Sequence, residues 1–206
     1  MRKPNAAIGR VPRRPACWIP LLAVLLTGCL FEPRDPNPPS SSDNIPYLQQ
    51  NTVENVWNNL GYALRNRDSS GWMDNISEEF LYIADSDTDA EYPGVFADWR
   101  AAQENVFINN FLNSDVTIDV QMRNDEFTPP DDGGASEIPW EGVIYYVQVS
   151  GGGSTTRYRA SAKITFRLEQ NFWYVYRWED QLRQSDPDDE NQLLPSMGVL
   201  RGNFGS

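Results

Sequence analysis

The side chains that could do acid–base chemistry in this chain are carboxylates and phenols, because the sequence contains no histidine. Without an imidazole to carry protons at neutral pH, the chemistry left is that of a buried carboxylate beside a Tyr hydroxyl. The residues eligible by type are Tyr62, Tyr82, Tyr146, Tyr158, Asp74, Asp98 and Asp180. Asp180 follows the last predicted strand, where it could instead fix a turn or pair with Arg177. The sequence has no Gly-x-Ser-x-Gly, phosphate-loop or zinc spacing, so we predict neither an enzyme nor a cofactor.

Three aspartates alternate along the chain at Asp85, Asp87 and Asp89. This spacing resembles the start of an EF-hand calcium loop, whose oxygens at positions 1, 3 and 5 wrap the ion. However, Ala90 stands where that loop needs Gly, and Phe96 stands where it needs Glu. We therefore interpret the stretch as a solvated acidic loop and predict no metal site, with calcium binding as the alternative.

Residues 1–28 have the pattern of a signal peptide. A basic stretch without acids precedes a short apolar run, Trp18 to Leu26, which is too short to cross a bilayer as a mature helix. Leu26-Thr27-Gly28-Cys29 then resembles the lipobox of bacterial lipoproteins, in which the chain is cut before the Cys and its thiol takes the lipid. We predict lipidation of Cys29 and anchoring in the bacterial cell envelope, with an ordinary secretory signal as the alternative. Leu30 rather than Asp follows the Cys, which favours the outer membrane.

Cleavage of this leader would change both the thiol count and the charge. Cys29 would be the one remaining Cys, so an intramolecular disulfide is excluded. The formal charge would fall from −12 to −17, because the leader carries five basic residues and no acidic ones. A surface this acidic repels polyanions, so we expect no nucleic-acid partner.

Behind the leader, residues 29–46 form a Pro/Ser-rich tether that cannot bury a core. A single domain is predicted over residues 47–206, opening with a helix that Asn51 and Glu54 would cap. Apolar residues recur at helical spacing from Val53 to Leu64, which predicts one apolar stripe along this helix. The other predicted elements are a short helix at 71–76, a strand at 80–83, a helix at 99–113 capped by Asp98, and strands at 116–122, 140–149, 155–168 and 172–178. Two acidic loops, at 85–91 and 186–191, and a loop rich in Asp, Gly and Pro at 123–139 complete the layout. This order of helices followed by four antiparallel strands predicts an α+β fold.

The strand from Thr156 to Leu168 separates its side chains by type. One face is apolar, and the other carries Arg157, Arg159, Lys163 and Arg167. This cationic face has two interpretations. It is either a solvated outer face whose cations pair with acids on neighbouring strands, or an interaction surface.

Several segments resemble the nuclear transport factor 2-like (SnoaL-like, cystatin/steroid-isomerase cone) superfamily. Residues 56–68 resemble its first helix, and Phe80-Leu81-Tyr82-Ile83 resembles the strand that follows. Residues 172–180 are similar to the closing strand of a group of bacterial lipoproteins of this fold. Ser196-Met197-Gly198-Val199-Leu200-Arg201 is similar to their C-terminal Ser-Trp-Gly-x-Leu-Lys. The resemblance implies a strongly bent antiparallel sheet wrapped around the N-terminal helices as a single cone-shaped domain.

The resemblance also implies two candidate sites. Aromatic residues on the presumed inner faces could line a pocket for a small apolar ligand, or could simply fill the cone: Trp57, Tyr62, Trp99, Phe107, Tyr146, Tyr158 and Phe166. Members of the superfamily often dimerise through the outer face of the sheet, which implies a homodimer through the cationic face. An acidic glycan or protein is a further candidate partner for that face.

The function predicted from the sequence is a non-catalytic ligand-binding or protein-interaction module, anchored to a membrane of the cell envelope by the lipid on Cys29. The alternative is an isomerase- or cyclase-type enzyme that acts on a small molecule with an Asp/Tyr pair in the cone.

Overall fold

The computed structural model describes residues 47–121, 130 and 133–205. The predicted signal peptide, the lipobox with Cys29 and most of the tether lie outside the described residues, as does most of the predicted loop at 123–139. Within the described part of the chain, no helix has both the length and the apolar character needed to cross a membrane.

Among the residues that the structure describes, five segments form helices. They are α1 (Val53–Asn66), α2 (Ser69–Met73), α3 (Ser86–Glu91), α4 (Ala101–Asn113) and α5 (Met197–Phe204). α1 begins after Thr52, whose hydroxyl accepts from the backbone N–H of Asn55 at 3.2 Å, so the predicted cap at Asn51 is one residue early. The predicted apolar stripe of α1 is confirmed, because its buried residues recur at helical spacing from Val53 to Leu64.

Five strands form the main sheet, in the order β1-β5-β4-β3-β2. They are β1 (Ile76–Ile83), β2 (Thr117–Gln121), β3 (Glu137–Gly151), β4 (Ser154–Glu169) and β5 (Phe172–Arg183). β2 to β5 pair antiparallel in chain order, as predicted, and β1 closes the sheet parallel to β5. A bulge between Trp140 and Val143, with Gly142 at φ 68°, interrupts the register of β3 and favours bending of the strand.

The inner face of the sheet packs against the helices around a core rich in indole rings. Trp57 lies 5.8 Å from both Trp140 and Trp178, and Trp72 lies 6.4 Å from Trp178, measured between ring centroids. The predicted alternation of β4 is confirmed, since every second residue from Tyr158 to Phe166 is buried. The fold is therefore the predicted α+β cone, a curved sheet wrapped around helices in the manner of the nuclear transport factor 2-like fold.

Two predicted loops are wrong. The acidic stretch at 85–91 forms α3, because the carboxylate of Asp85 caps it by accepting from the backbone N–H of Thr88 at 3.1 Å. The acidic stretch at 186–191 belongs to a small hairpin of β6 (Ser185–Asp186) and β7 (Asp189–Leu193). The loop predicted at 85–91 is wrong because Asp, which favours loops, is also a strong N-cap residue of helices.

α4 begins two residues later than predicted. Arg100, rather than Asp98, is its N-cap residue, and its backbone N–H donates to the Gln103 side chain at 3.1 Å. Asp98 instead forms an exposed ion pair with Arg100 at 2.7 Å.

Candidate functional site

The carboxylate of Asp180 lies at the centre of the cone and accepts three hydrogen bonds. Tyr82 of β1 donates at 2.7 Å, Tyr145 of β3 at 2.8 Å, and the indole N–H of Trp178 at 2.9 Å. Because β1, β3 and β5 each contribute, the site depends on the bent sheet bringing three strands to one point. Three donors and no acceptor around a carboxylate is the pattern that stabilises its anionic form.

The surroundings shift the acidities of these groups. Burial raises the pKa of Asp180, and this outweighs the opposing effects of Arg201 and of the three hydrogen bonds. Burial, together with the charge of Asp180, raises the pKa of both Tyr82 and Tyr145 well above the ordinary value of a phenol. Both tyrosines therefore hold their protons at neutral pH and act as donors.

A second carboxylate, Glu104 of α4, lies in the same interior and forms a bidentate ion pair with Arg201 of α5. The two N–H···O distances are 2.9 Å from Nε and 2.8 Å from Nη2. The indole N–H groups of Trp72 and Trp99 also donate to Glu104, at 3.2 Å and 2.8 Å. The carboxylate is therefore held by the core as well as by its counterion.

Arg201 joins the two carboxylates into one cluster. Its guanidinium carbon lies 4.2 Å from the centre of the Tyr82 ring, and Tyr82 in turn donates to Asp180. Burial lowers the pKa of Arg201, but the charge and hydrogen bonds of Glu104 reverse that shift and leave the pKa raised. We call Tyr82, Glu104, Tyr145, Asp180 and Arg201, with Trp72, Trp99 and Trp178, the interior cluster.

The interior cluster is closed to solvent. Asp180 is 4 % exposed, and Tyr82, Glu104, Tyr145 and Arg201 are fully buried. α5 packs over the cluster with Met197 and Leu200 also buried, and the backbone N–H of Met197 donates to the Tyr145 hydroxyl at 2.9 Å. A general base must come within hydrogen-bond reach of a substrate proton. With α5 in place, the cluster holds charge and positions protons without access for a substrate.

The sequence identified part of this cluster. Asp180 and Tyr82 were both eligible by type, and the structure brings them together. Tyr62, Tyr146, Tyr158, Asp74 and Asp98 contribute no side chain to it. Tyr145, Glu104 and Arg201 were missed, although Arg201 ends the C-terminal segment on which the family resemblance rested.

Most of the predicted pocket aromatics are core residues. Trp57, Trp99, Phe107, Tyr158 and Phe166 are buried, and Trp99 also belongs to the interior cluster. Tyr62 is half-buried on α1.

The prediction that Tyr146 lies on the inner face of β3 is wrong. Tyr145, Val147 and Val149 point inward, so Tyr146 lies on the outer face, where its hydroxyl donates to Gln148 at 3.2 Å. A shift of one residue reverses every side chain of a strand.

The cations of the outer face all have partners within the chain. Arg157 pairs with Asp186 at 3.0 Å and with Asp188 at 2.7 Å. Arg159 donates to the carbonyl of Ser185 at 2.6 Å, and Lys163 pairs with Glu141 at 2.7 Å. Arg167 pairs with Glu79 and Glu137, and its guanidinium carbon lies 3.3 Å from the Tyr176 ring centre. All four cations of this face are therefore already paired with acceptors of the chain itself.

The aspartates of the alternative calcium loop do not converge on one point. Asp85 accepts from the hydroxyls of Ser196 and Thr88 at 2.5 Å and 2.6 Å, and Arg183 lies 3.3 Å from the same carboxylate. Burial alone would raise the pKa of Asp85, but these hydrogen bonds lower it below its ordinary value. Among the described residues, no group of three or more carboxylate, His or Cys side chains could hold a metal ion.

A surface cavity of about 440 Å³ lies beside the turn between β4 and β5. Its lining residues are Met73, Asp74, Ile76, Ser77, Glu78, Glu169, Gln170 and Tyr174. The Ser77 hydroxyl donates to Glu169 at 2.7 Å across one wall. The predicted aromatic pocket residues lie elsewhere, so this cavity is distinct from the hypothesised apolar pocket.

No protein-family model matches the chain, and no curated protein sequence matches it. Among solved structures, a variant of a protein of unknown function from Mycobacterium tuberculosis matches with a TM-score of 0.51 at 8% identity, covering 74% of this chain and 91% of that chain. A protein of unknown function with a cystatin-like fold from Nostoc punctiforme matches with a TM-score of 0.42 at 10% identity, covering 66% and 92%. An LEH-like epoxide hydrolase from Mycobacterium tuberculosis matches with a TM-score of 0.41 at 15% identity, covering 75% and 89%. Likeness at such low identity concerns the fold and not the activity.

Proposed function

We propose that this protein is a lipid-anchored, non-catalytic interaction module of the bacterial cell envelope. The observation that carries the proposal is that both carboxylates of the interior cluster are already bound by donors from the chain's own side chains. Asp180 takes three donors, and Glu104 takes four N–H groups from Trp72, Trp99 and Arg201. Because the cone is closed in this way, we propose that the domain binds its partners through its outer surfaces.

An enzyme that uses Asp180 is the second candidate. The observation in its favour is that a buried carboxyl with a raised pKa lies between two protonated phenols, a set of groups suited to proton transfer next to a carbonyl. Such an enzyme would have to move α5 to admit a substrate. If Asp180→Asn still turns over a substrate of the wild type, this candidate is excluded. If the variant binds that substrate but no longer turns it over, the candidate is supported.

The outer sheet face is the proposed interaction surface, and a second copy of the chain is its proposed partner. Besides its paired cations, this face carries Leu182, which is 68 % exposed and is paired in register with Ser161 of β4. Exposed apolar side chains among arginines are typical of protein interfaces.

Association is expected to weaken at least tenfold in Arg167→Glu. The new carboxylate would face Glu79 and Glu137, so the face would become locally anionic and would repel its copy. Analytical ultracentrifugation of the detergent-solubilised full-length protein measures the change.

The matched control is Arg100→Glu, which changes the net charge equally but lies at the start of α4. If both variants associate like the wild type, or weaken equally, the outer sheet face is not the interface.

Anchoring is tested at Cys29. We expect Cys29→Ser to remove lipid labelling completely, because the thiol is the group that takes the lipid. Labelling with a clickable palmitate analogue measures this, and Cys17→Ser serves as the control because Cys17 lies inside the predicted signal peptide. Lipid labelling that persists in Cys29→Ser would contradict the assignment.

A further inference from the structure

The guanidinium of Arg201 occupies a chamber with the composition of a cation-binding site. Glu104 receives it in the bidentate geometry that carboxylates offer to guanidinium groups. Aromatic rings surround the rest: the Tyr82 ring centre lies 4.2 Å away, and those of Phe107 and Trp178 each lie 5.2 Å away. A carboxylate opposite several π faces is how proteins bind organic cations.

The walls of this chamber are held in place without α5. Trp72 and Trp99 orient Glu104 through their indole N–H groups. Asp180 keeps its three donors from β1, β3 and β5. Arg201 is the only charged member of the interior cluster that α5 supplies. If α5 moved away, both carboxylates would keep hydrogen-bond donors, and an oriented anionic cage would open to solvent.

The hydrogen-bonding capacity of Arg201 is less completely satisfied than that of the two carboxylates around it. Within the described part of the chain, Nη1 of Arg201 is buried without a hydrogen-bond partner, which carries a penalty that solvent would relieve. α5 is joined to the rest of the domain through side chains, among them Ser196 to Asp85 at 2.5 Å and the Tyr145 hydroxyl to the Met197 N–H at 2.9 Å. A helix that is held through side chains opens locally more readily than a hydrogen-bonded sheet does.

We propose that the interior of the cone is a guanidinium-binding site, that α5 occupies it in cis through Arg201, and that a guanidinium-bearing ligand competes with α5 for it. The ligand class follows from the chamber, which offers a bidentate carboxylate and flat aromatic walls to a planar cation. This site is separate from the outer sheet face, so its test and the association test can fail independently.

The direct test removes the internal occupant from the full-length protein. Arg201→Ala is expected to bind n-propylguanidinium at least tenfold more tightly than the wild type does, because the probe supplies the guanidinium group that the variant lacks and meets no internal competitor. The indole N–H resonances of Trp72 and Trp99 report binding at Glu104 directly in an NMR titration. n-Propylurea, the neutral isostere, is expected to leave these resonances unchanged.

The control variant is Arg201→Ala combined with Glu104→Gln, which keeps the shape of the chamber and removes the charge of the carboxylate that pairs with the guanidinium. We expect it to lose the n-propylguanidinium response. Equal binding by this double variant and by Arg201→Ala, or no binding by Arg201→Ala, would overturn the proposal.

A second measurement uses the wild type, so the proposal stays testable if Arg201→Ala does not fold. With N-acetyl-arginine methylamide in excess, the backbone amides of α5 are expected to exchange hydrogen at least tenfold faster, and those of β3 and β4 at unchanged rates. Unchanged exchange in α5 with both this probe and n-propylguanidinium would overturn the proposal. Faster exchange with the arginine amide would identify a polypeptide arginine as a competent ligand, and faster exchange with n-propylguanidinium alone would restrict the site to small guanidines.

Discussion

Replacing Arg201 with Met is expected to lower the free energy of unfolding by about 3–5 kcal/mol, the usual consequence of leaving one partner of a buried ion pair alone. Glu104 would stay fully buried, and its charge would be balanced only by two indole donors. Urea denaturation followed by tryptophan fluorescence measures the loss.

The control for this effect is the pair Glu104→Gln and Arg201→Met, alone and combined. Gln keeps an oxygen that can accept from an indole N–H, and the double variant contains no buried charge at this position. We therefore expect the double variant to be more stable than either single variant. Additive losses would mean that the ion pair is not what couples α5 to the cone.

Replacing Asp180 with Ala is the second large effect that we expect. Three buried donors, on Tyr82, Tyr145 and Trp178, would lose their acceptor, and each orphaned donor costs about 1–3 kcal/mol. A total loss of about 3 kcal/mol or more in the free energy of unfolding should follow, measured by urea denaturation.

Asp180→Asn is the matched control, because its amide can preserve the hydrogen bonds. Tyr145 and Trp178 both donate to one oxygen of Asp180, which the Asn carbonyl can replace. The Tyr82 hydroxyl can rotate to accept from the Asn NH₂. The loss of unfolding free energy in Asp180→Asn should therefore be less than half of that in Asp180→Ala. Equal losses in the two variants would show that the cluster is stabilised by the charge of Asp180 rather than by its hydrogen bonds.

The wild type and Asp180→Asn together also test the pKa of Asp180. Its native pKa is raised above the ordinary value, chiefly by burial. The stabilisation linked to this group is therefore fully present below about pH 4 and is lost as the pH rises through the native pKa. Because Asn does not titrate, the stability advantage of the wild type over Asp180→Asn should shrink as the pH rises through that window. An advantage that grows with pH would contradict a raised pKa.

Patterns with a fixed period could be predicted from the sequence. The alternation along β4 and the apolar stripe of α1 identify elements whose one face must be buried, and both are confirmed. The outline of the cone follows from them, because one amphipathic helix and four antiparallel strands have few ways to cover each other's apolar faces.

The interior cluster could be predicted only in part, because it depends on register and on contacts distant in sequence. Tyr145 and Tyr146 are adjacent aromatic residues, and the choice of the inward one depends on a bulge two residues upstream. Glu104 and Arg201 are separated by 97 positions. Glu104 lies in the first turn of α4, where an exposed acid is also favoured, so its burial gives no local signal. Its counterion is identifiable only once α5 is seen to pack over the cone.

On the outer face of the sheet, too, only part of the arrangement could be predicted from the sequence. Its four cations follow from alternation, whereas their partners come from β1, β3 and the β6–β7 hairpin. The distinction between a paired face and a free one therefore requires the three-dimensional structure.

The central claim is that the cone is closed by the chain's own side chains, and native mass spectrometry of the full-length protein from bacterial membranes tests it most directly. We expect the folded ion to have the mass of the polypeptide plus its lipid, as a monomer or as a dimer. A discrete additional mass from a small molecule other than a guanidine, retained by the wild type and lost in Asp180→Asn, would mean that the closed interior holds a different ligand and would contradict the account.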